Sequence, residues 1–158
     1  MVRRIPSSRQ AAFTLIELLI ALVVLGALAA IAIPSYQAYI EQAKRSRAIA
    51  EISEMSMALE RFRTINNTYP ANLAALGGNL PLTDPWGNPY QYLGIEVVPP
   101  PNTGAKRRDK NLNPLNSDYD LYSMGPDGRT QKQLTASKAR DDIVRAGNGG
   151  YIGLASEH

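Results

Sequence analysis

Between Phe13 and Ile33 the chain carries one charge, the carboxylate of Glu17, in a run of 21 residues. A carboxylate inside a bilayer costs about 2.5 kcal/mol or more at the centre and less near an end, so Glu17 calls for a partner or a place at the interface. A cut between Ala12 and Phe13 would create a free α-amino group four residues before it. Residues i and i+4 share a helix face, and a neighbouring copy displaced along the axis could offer its own amino terminus to the same carboxylate. That pairing would set the stagger of a polymer, and with both charges out of water the loss of either partner is costly. The alternative is a side chain that snorkels to the interface.

A second set of oxygen donors lies near the carboxy terminus, where Gly125, Asp127 and Gly128 are followed by Asp141 and Asp142. Hard cations take carboxylate and carbonyl oxygens from a flexible loop, and this set could supply them. The same residues also read as a turn at Pro126-Asp127-Gly128 and a helix start capped by Asp141, in a loop held by hydrogen bonds or a salt bridge. Arg129, Lys132, Lys138 and Arg140 stand between the two acidic parts, and nearby positive charge opposes a cation. Asp118 and Asp120 would share one face of an extended strand, with no acid–base partner in view. There is no cysteine, the single histidine is His158 at the end, and no GxxxxGK[ST], HExxH or GxSxG motif occurs, so the sequence points away from an enzyme.

These residues must be held by a chain of 158 residues and 17.2 kDa, room for one modest domain and an appendage. Arg3, Arg4 and Arg9 precede Phe13 with no acid. The 14 basic residues that remain match the 14 acidic ones, so the net charge of +3 belongs to the leader. Basic residues before an apolar run read as a topology signal that stays cytoplasmic, and no basic face for a nucleic acid is apparent. A 21-residue helix rises about 31 Å, enough to cross a bilayer. After Pro34, which should bend the helix, Ala48, Ile52, Met55, Leu59 and Phe62 recur at spacings of three and four with charges between them. The pattern predicts one helix of about 50 residues, membrane-spanning over 13–34 and amphipathic over 35–65.

From residue 66 onward prolines and glycines dominate and the helical period is lost, which marks a small head. Residues 89–98, 119–124 and, more weakly, 150–154 alternate apolar and polar positions between turn residues and predict short strands. The expected fold is therefore α+β, a long amino-terminal helix packed on a small antiparallel sheet of about three strands with a loop-rich carboxy-terminal region. Residues 98–116, including the charge run KRRDK, read as an exposed loop.

The stretch AAFTLIELLIALVVLGALAAIAIPSY resembles the class III leader and amino-terminal helix of type IV pilin-like proteins. The resemblance implies a leader over 1–12, cleavage after Ala12 by a prepilin peptidase and N-methylation of Phe13. It also implies pairing of Glu17 with the methylated terminus of a neighbouring subunit. The family usually has Gly before the scissile bond, where this chain has Ala12. In the head, TYPANLAAL, LPLTDPWGNPYQY, DLYSMGPDG and DDI resemble the major pseudopilin of type II secretion systems.

That likeness implies a single-pass protein of the Gram-negative inner membrane, amino terminus cytoplasmic and head periplasmic over 66–158. Copies of it would form a helical pseudopilus with minor pseudopilins on an inner-membrane platform with its ATPase, exporting folded exoproteins, with no nucleic acid bound. It also implies a Ca2+ ion held by the carbonyls of Met124 and Arg129, the side chain of Asp127 and the carboxylates of Asp141 and Asp142, with Ser137 a weaker ligand. The alternative within the family is a surface type IV pilin for adhesion, motility or DNA uptake, whose usual disulfide-closed region has no counterpart in a chain without cysteine.

Overall fold

The computed structural model describes residues 13–78, 80–96 and 103–158. The leader, with Ala12, and residues 97–102 lie outside them. The chain divides into two compact units, 1–40 and 41–158.

One helix, α1, runs from Leu15 to Asn66 with Pro34 inside it. It is long and apolar enough to cross a membrane. Proline has no N–H to donate, and just past it the Ser35 hydroxyl donates to the Ile31 carbonyl at 3.1 Å. In the first unit every large apolar side chain from Phe13 to Ile33 is at least 51% exposed. The amphipathic half behaves differently, because Ala48, Ile52, Met55 and Leu59 are fully buried. Phe62, the last position of the predicted stripe, is only half-buried.

Among its described residues the second unit carries four strands, β1 (Gln91–Gly94), β2 (Tyr119–Ser123), β3 (Ile143–Ala146) and β4 (Tyr151–Leu154), paired antiparallel in the order β1-β2-β3-β4. Gln91 lies opposite Tyr122 and Gly94 opposite Tyr119, while Ile143 lies opposite Leu154 and Ala146 opposite Tyr151. Three strands fall within the expected segments and β3 is additional, so the sheet has four strands rather than about three. Ile143-Val144-Arg145-Ala146 escapes the alternation rule because all four residues, Arg145 included, are buried.

Side chains alternate across a strand, and here the two faces feed two apolar clusters. Tyr119, Leu121 and Ile143 join Ala48, Ile52, Met55, Leu59, Tyr69 and Tyr90 on the helix side. Val144 and Ala146 join Leu115, Leu134 and Ala155 on the other side. The described part of the 98–116 segment is thus not simply an exposed loop. Leu115 and Asn116 are 2% exposed and Arg107, the second residue of KRRDK, is 3% exposed, because this segment covers the second face of the sheet.

Removing a fully buried leucine costs about 2–5 kcal/mol, whereas surface changes usually stay within about 0.5 kcal/mol. Leu59→Ala is therefore expected to cost about 2–5 kcal/mol in denaturant unfolding of the full chain in micelles. Met57→Ala, two residues away and 68% exposed, is expected to cost less than about 1 kcal/mol. Equal losses would contradict the placement of the helix face.

Candidate functional site

At the start of α1, Thr14 and Glu17 bond each other reciprocally. The Thr14 backbone N–H and hydroxyl donate to Glu17 Oε2 at 2.8 and 2.7 Å, and the Glu17 N–H donates to the Thr14 hydroxyl at 3.3 Å. This is a capping box, in which a Thr and a Glu three residues on satisfy two backbone donors that have no partner inside the helix. The pattern T-x-x-E stands in the sequence and would have revealed it. Glu17 thus has a task within its own chain, fixing where the helix begins, and the cap brings its Oε2 to the residue that follows Phe13.

In the head, the segment 83–90 does more than turn the chain. Asp84 Oδ1 accepts the N–H groups of Trp86 and Asn88 at 3.1 and 2.8 Å, Gly87 closes the turn at φ +95°, and Asp84 Oδ2 accepts the Ser123 hydroxyl at the end of β2. Asn88 Nδ2 donates to the Gly125 carbonyl at 2.9 Å, and the Gly125 N–H donates to the Ser123 hydroxyl at 3.0 Å. Trp86 packs on the edge of the first cluster, and its indole N–H donates to Glu41 at 2.8 Å. With Lys44 also beside it, Glu41 is held below the usual carboxylate range, the Trp86 bond being the larger cause. The Tyr90 hydroxyl donates to Glu51 at 2.6 Å, and burial, with that bond, pushes the phenol well above its ordinary range. These contacts hold the segment to the helix and to the loop after β2.

Five buried charges, Arg107, Asp118, Asp120, Asp142 and Arg145, gather around β2 on its two faces. Arg145 lies 3.9 Å over the Tyr119 ring and donates to both oxygens of Asp118, at 2.9 and 2.7 Å. Arg107 lies 3.9 Å over the Tyr122 ring and donates to Asp142 at 2.5 Å. Asp120 links the two, accepting the Arg107 backbone N–H at 2.8 Å and Asn116 Nδ2 at 3.0 Å, while the same Nδ2 donates to the Arg145 carbonyl at 2.9 Å. Burial raises the Asp120 carboxyl above its usual range despite these donors. Asp118 and Asp120 therefore hold the head together, and their partners arrive from segments the strand pattern does not mark. A groove of about 520 Å³ beside Ser56, Tyr119 and Arg145 borders this network, but the Arg145 charge is already matched by Asp118.

Of the expected calcium ligands, Asp141 lies against the loop after β2 and Asp127 and Asp142 bond within the chain. Gly125 sits against Asp141, so that a Cβ at Gly125 would come within 2.3 Å of the Asp141 carbonyl oxygen. Asp127 Oδ1 accepts the Arg129 N–H at 2.7 Å in a local turn. Asp142 is fully buried with its Oδ2 on Arg107 and Thr130. Ser137 opens a short 3-10 turn, Ser137–Ala139, just before Arg140, Asp141 and Asp142, where a helix start was the other reading. Among the described residues no group of three or more His, Cys, Asp or Glu is arranged to hold a metal ion.

Gly125 and Gly77 share a positive φ, +63° and +65°, but only Gly125 is hemmed in. Alanine in that conformation costs about 1–2 kcal/mol. Gly77→Ala is expected to lose that much and Gly125→Ala clearly more, since the clash with Asp141 adds to the strain. Equal unfolding midpoints for the two variants would contradict the packing of this loop.

Comparison with known proteins agrees with the geometry at both ends of the chain. The prokaryotic N-terminal methylation motif matches residues 7–33, and the family model of the type IV minor pilin ComP, DNA uptake sequence receptor, matches residues 34–137. The type II secretion system core protein G of Pseudomonas aeruginosa is 33% identical over 142 residues, 77% of this chain and 87% of the relative. Its counterpart in Escherichia coli is 29% identical over 152 residues, 82% of this chain and 92% of the relative. The type IV major fimbrial protein FimA of Dichelobacter nodosus is 51% identical, but over 53 residues, 34% of each chain. No solved structure matches. With relatives of one kind spanning helix and head together, the chain belongs to the type IV pilin-like proteins and, among them, to the family of the type II secretion system core protein G.

Proposed function

We propose that this chain is the structural subunit of a periplasmic pseudopilus that drives export of folded proteins by type II secretion. The observation that carries the proposal is the exposed apolar surface over residues 13–33 with one carboxylate at Glu17, joined to a head that resembles core protein G along most of its length. In this reading a prepilin peptidase cuts between Ala12 and Phe13 and methylates the new Phe13 amine. The three leader arginines hold that end in the cytoplasm while the head lies in the periplasm. Copies then leave the bilayer and pack their α1 helices together. Apolar helices exchange lipid for one another at little hydrophobic gain, so register has to come from a directed interaction. Glu17 meeting the Phe13 amine of a neighbour supplies it, and Pro34 gives the helix a place to adapt. Minor pseudopilins, the inner-membrane platform with its ATPase and the exoproteins are the remaining partners.

One observation favours a second reading, a surface pilin in DNA uptake, namely the match of residues 34–137 to a family whose description names a DNA uptake receptor. Nucleic-acid binding draws on a basic patch. Beyond residue 34 this chain has 14 basic and 13 acidic residues, and Arg107 and Arg145 are buried against acids. The charge pattern supports secretion over DNA uptake.

Overproduced with its assembly machinery, the Glu17→Val variant is expected to insert and to lose its leader, seen as a mass shift, yet to yield no filaments in electron micrographs. Filaments of normal length and number from that variant would overturn the pairing.

A further inference from the structure

We infer that Arg107 occupies, in this chain, the role a divalent cation would play at Asp142, and that the carboxy-terminal loop closes without metal. The five expected ligands divide on inspection. Asp142 is the one fully buried carboxylate among them, and its charge is met by Arg107 at 2.5 Å, with side chains 3% and 0% exposed. Thr130 completes the contact: it accepts from Arg107 Nη1 at 2.7 Å and donates to Asp142 Oδ2 at 2.5 Å. The guanidinium cannot easily leave, because it lies over Tyr122 and its own backbone N–H is held by Asp120. A cation reaching Asp142 would have to displace it or sit beside a full positive charge. Asp127, meanwhile, spends an oxygen on the Arg129 N–H.

The arrangement also accounts for the composition of the loop. The basic segment between the acidic parts disfavours a metal, and an internal guanidinium is indifferent to calcium in the surroundings. Among the described residues Asp142 Oδ1 and Arg107 Nε are buried without hydrogen-bond partners, so the pair is joined through one oxygen and one nitrogen rather than as a fork.

The test is thermal unfolding of the full chain in detergent micelles, followed through the near-ultraviolet signal of the head's aromatic residues, in millimolar calcium chloride and in excess EGTA. The midpoints are expected to coincide. A site filled a hundredfold above its Kd would raise the midpoint by roughly 5–10 °C in a chain of this size, and a calcium-dependent rise of that order would overturn the inference. Arg107→Met is expected to lower the midpoint by roughly 10 °C, because it strands a buried carboxylate. The double variant Arg107→Met/Asp142→Leu, which removes both charges, is expected to unfold above that single variant. An Arg107→Met midpoint unchanged from wild type would overturn the assignment. If that variant does not fold, the double variant and the calcium comparison decide: a double variant that also fails, or a calcium-stabilised wild type, overturns it.

Discussion

The apolar surface of α1 before Pro34 is left uncovered by the described residues. Among the described residues every large apolar side chain from Phe13 to Ile33 is exposed, and a surface of that kind suits lipid or other helices. Both are apolar, which makes the exchange between them nearly neutral and reversible. Such a surface suits a subunit stored in a membrane and drawn into a filament. In the proposed filament that one carboxylate would set the register, since Glu17 is the one charge in the run. Its place in a capping box with Thr14 fixes the carboxylate next to the end that cleavage would create.

The head solves a different problem. A four-stranded sheet of short strands has little apolar surface to spare, and the chain draws on polar pairs to order the layers on its two faces. Tyr119 and Tyr122 on β2 each carry an arginine on the ring face, and each arginine reaches an aspartate in another segment. Buried ion pairs add little net stability compared with apolar replacements, but they penalise any arrangement that separates them. The network thus fixes which loop lies where, and the Asp84–Ser123–Gly125–Asn88 contacts extend the same control to the turn after β2.

Much of this is legible in the sequence, and the exceptions have common causes. The helix, its burial stripe at Ala48, Ile52, Met55 and Leu59, and three of the four strands follow from periodicity, which survives wherever one face is buried and the other is not. β3 is hidden because Arg145 breaks an apolar run, and its burial depends on Asp118 and Tyr119 more than 25 residues away. Arg107 is hidden for the same reason: within KRRDK it looks like its solvated neighbours, and only the fold brings Asp142 and Thr130 to it. The capping box was available in TLIE, where the charge of Glu17 draws attention away from its local role. At the carboxy-terminal loop the sequence left a cation and a salt bridge as alternatives, a choice that depends on a residue outside the motif.

The most direct measurement is to delete the gene in its host and, in one culture, to follow the proteins of the medium, the surface filaments and the uptake of DNA. The account predicts loss of specific exoproteins from the medium, with surface filaments and DNA uptake unchanged. Loss of filaments or of DNA uptake with an unaltered medium would contradict it and make the protein a surface pilin.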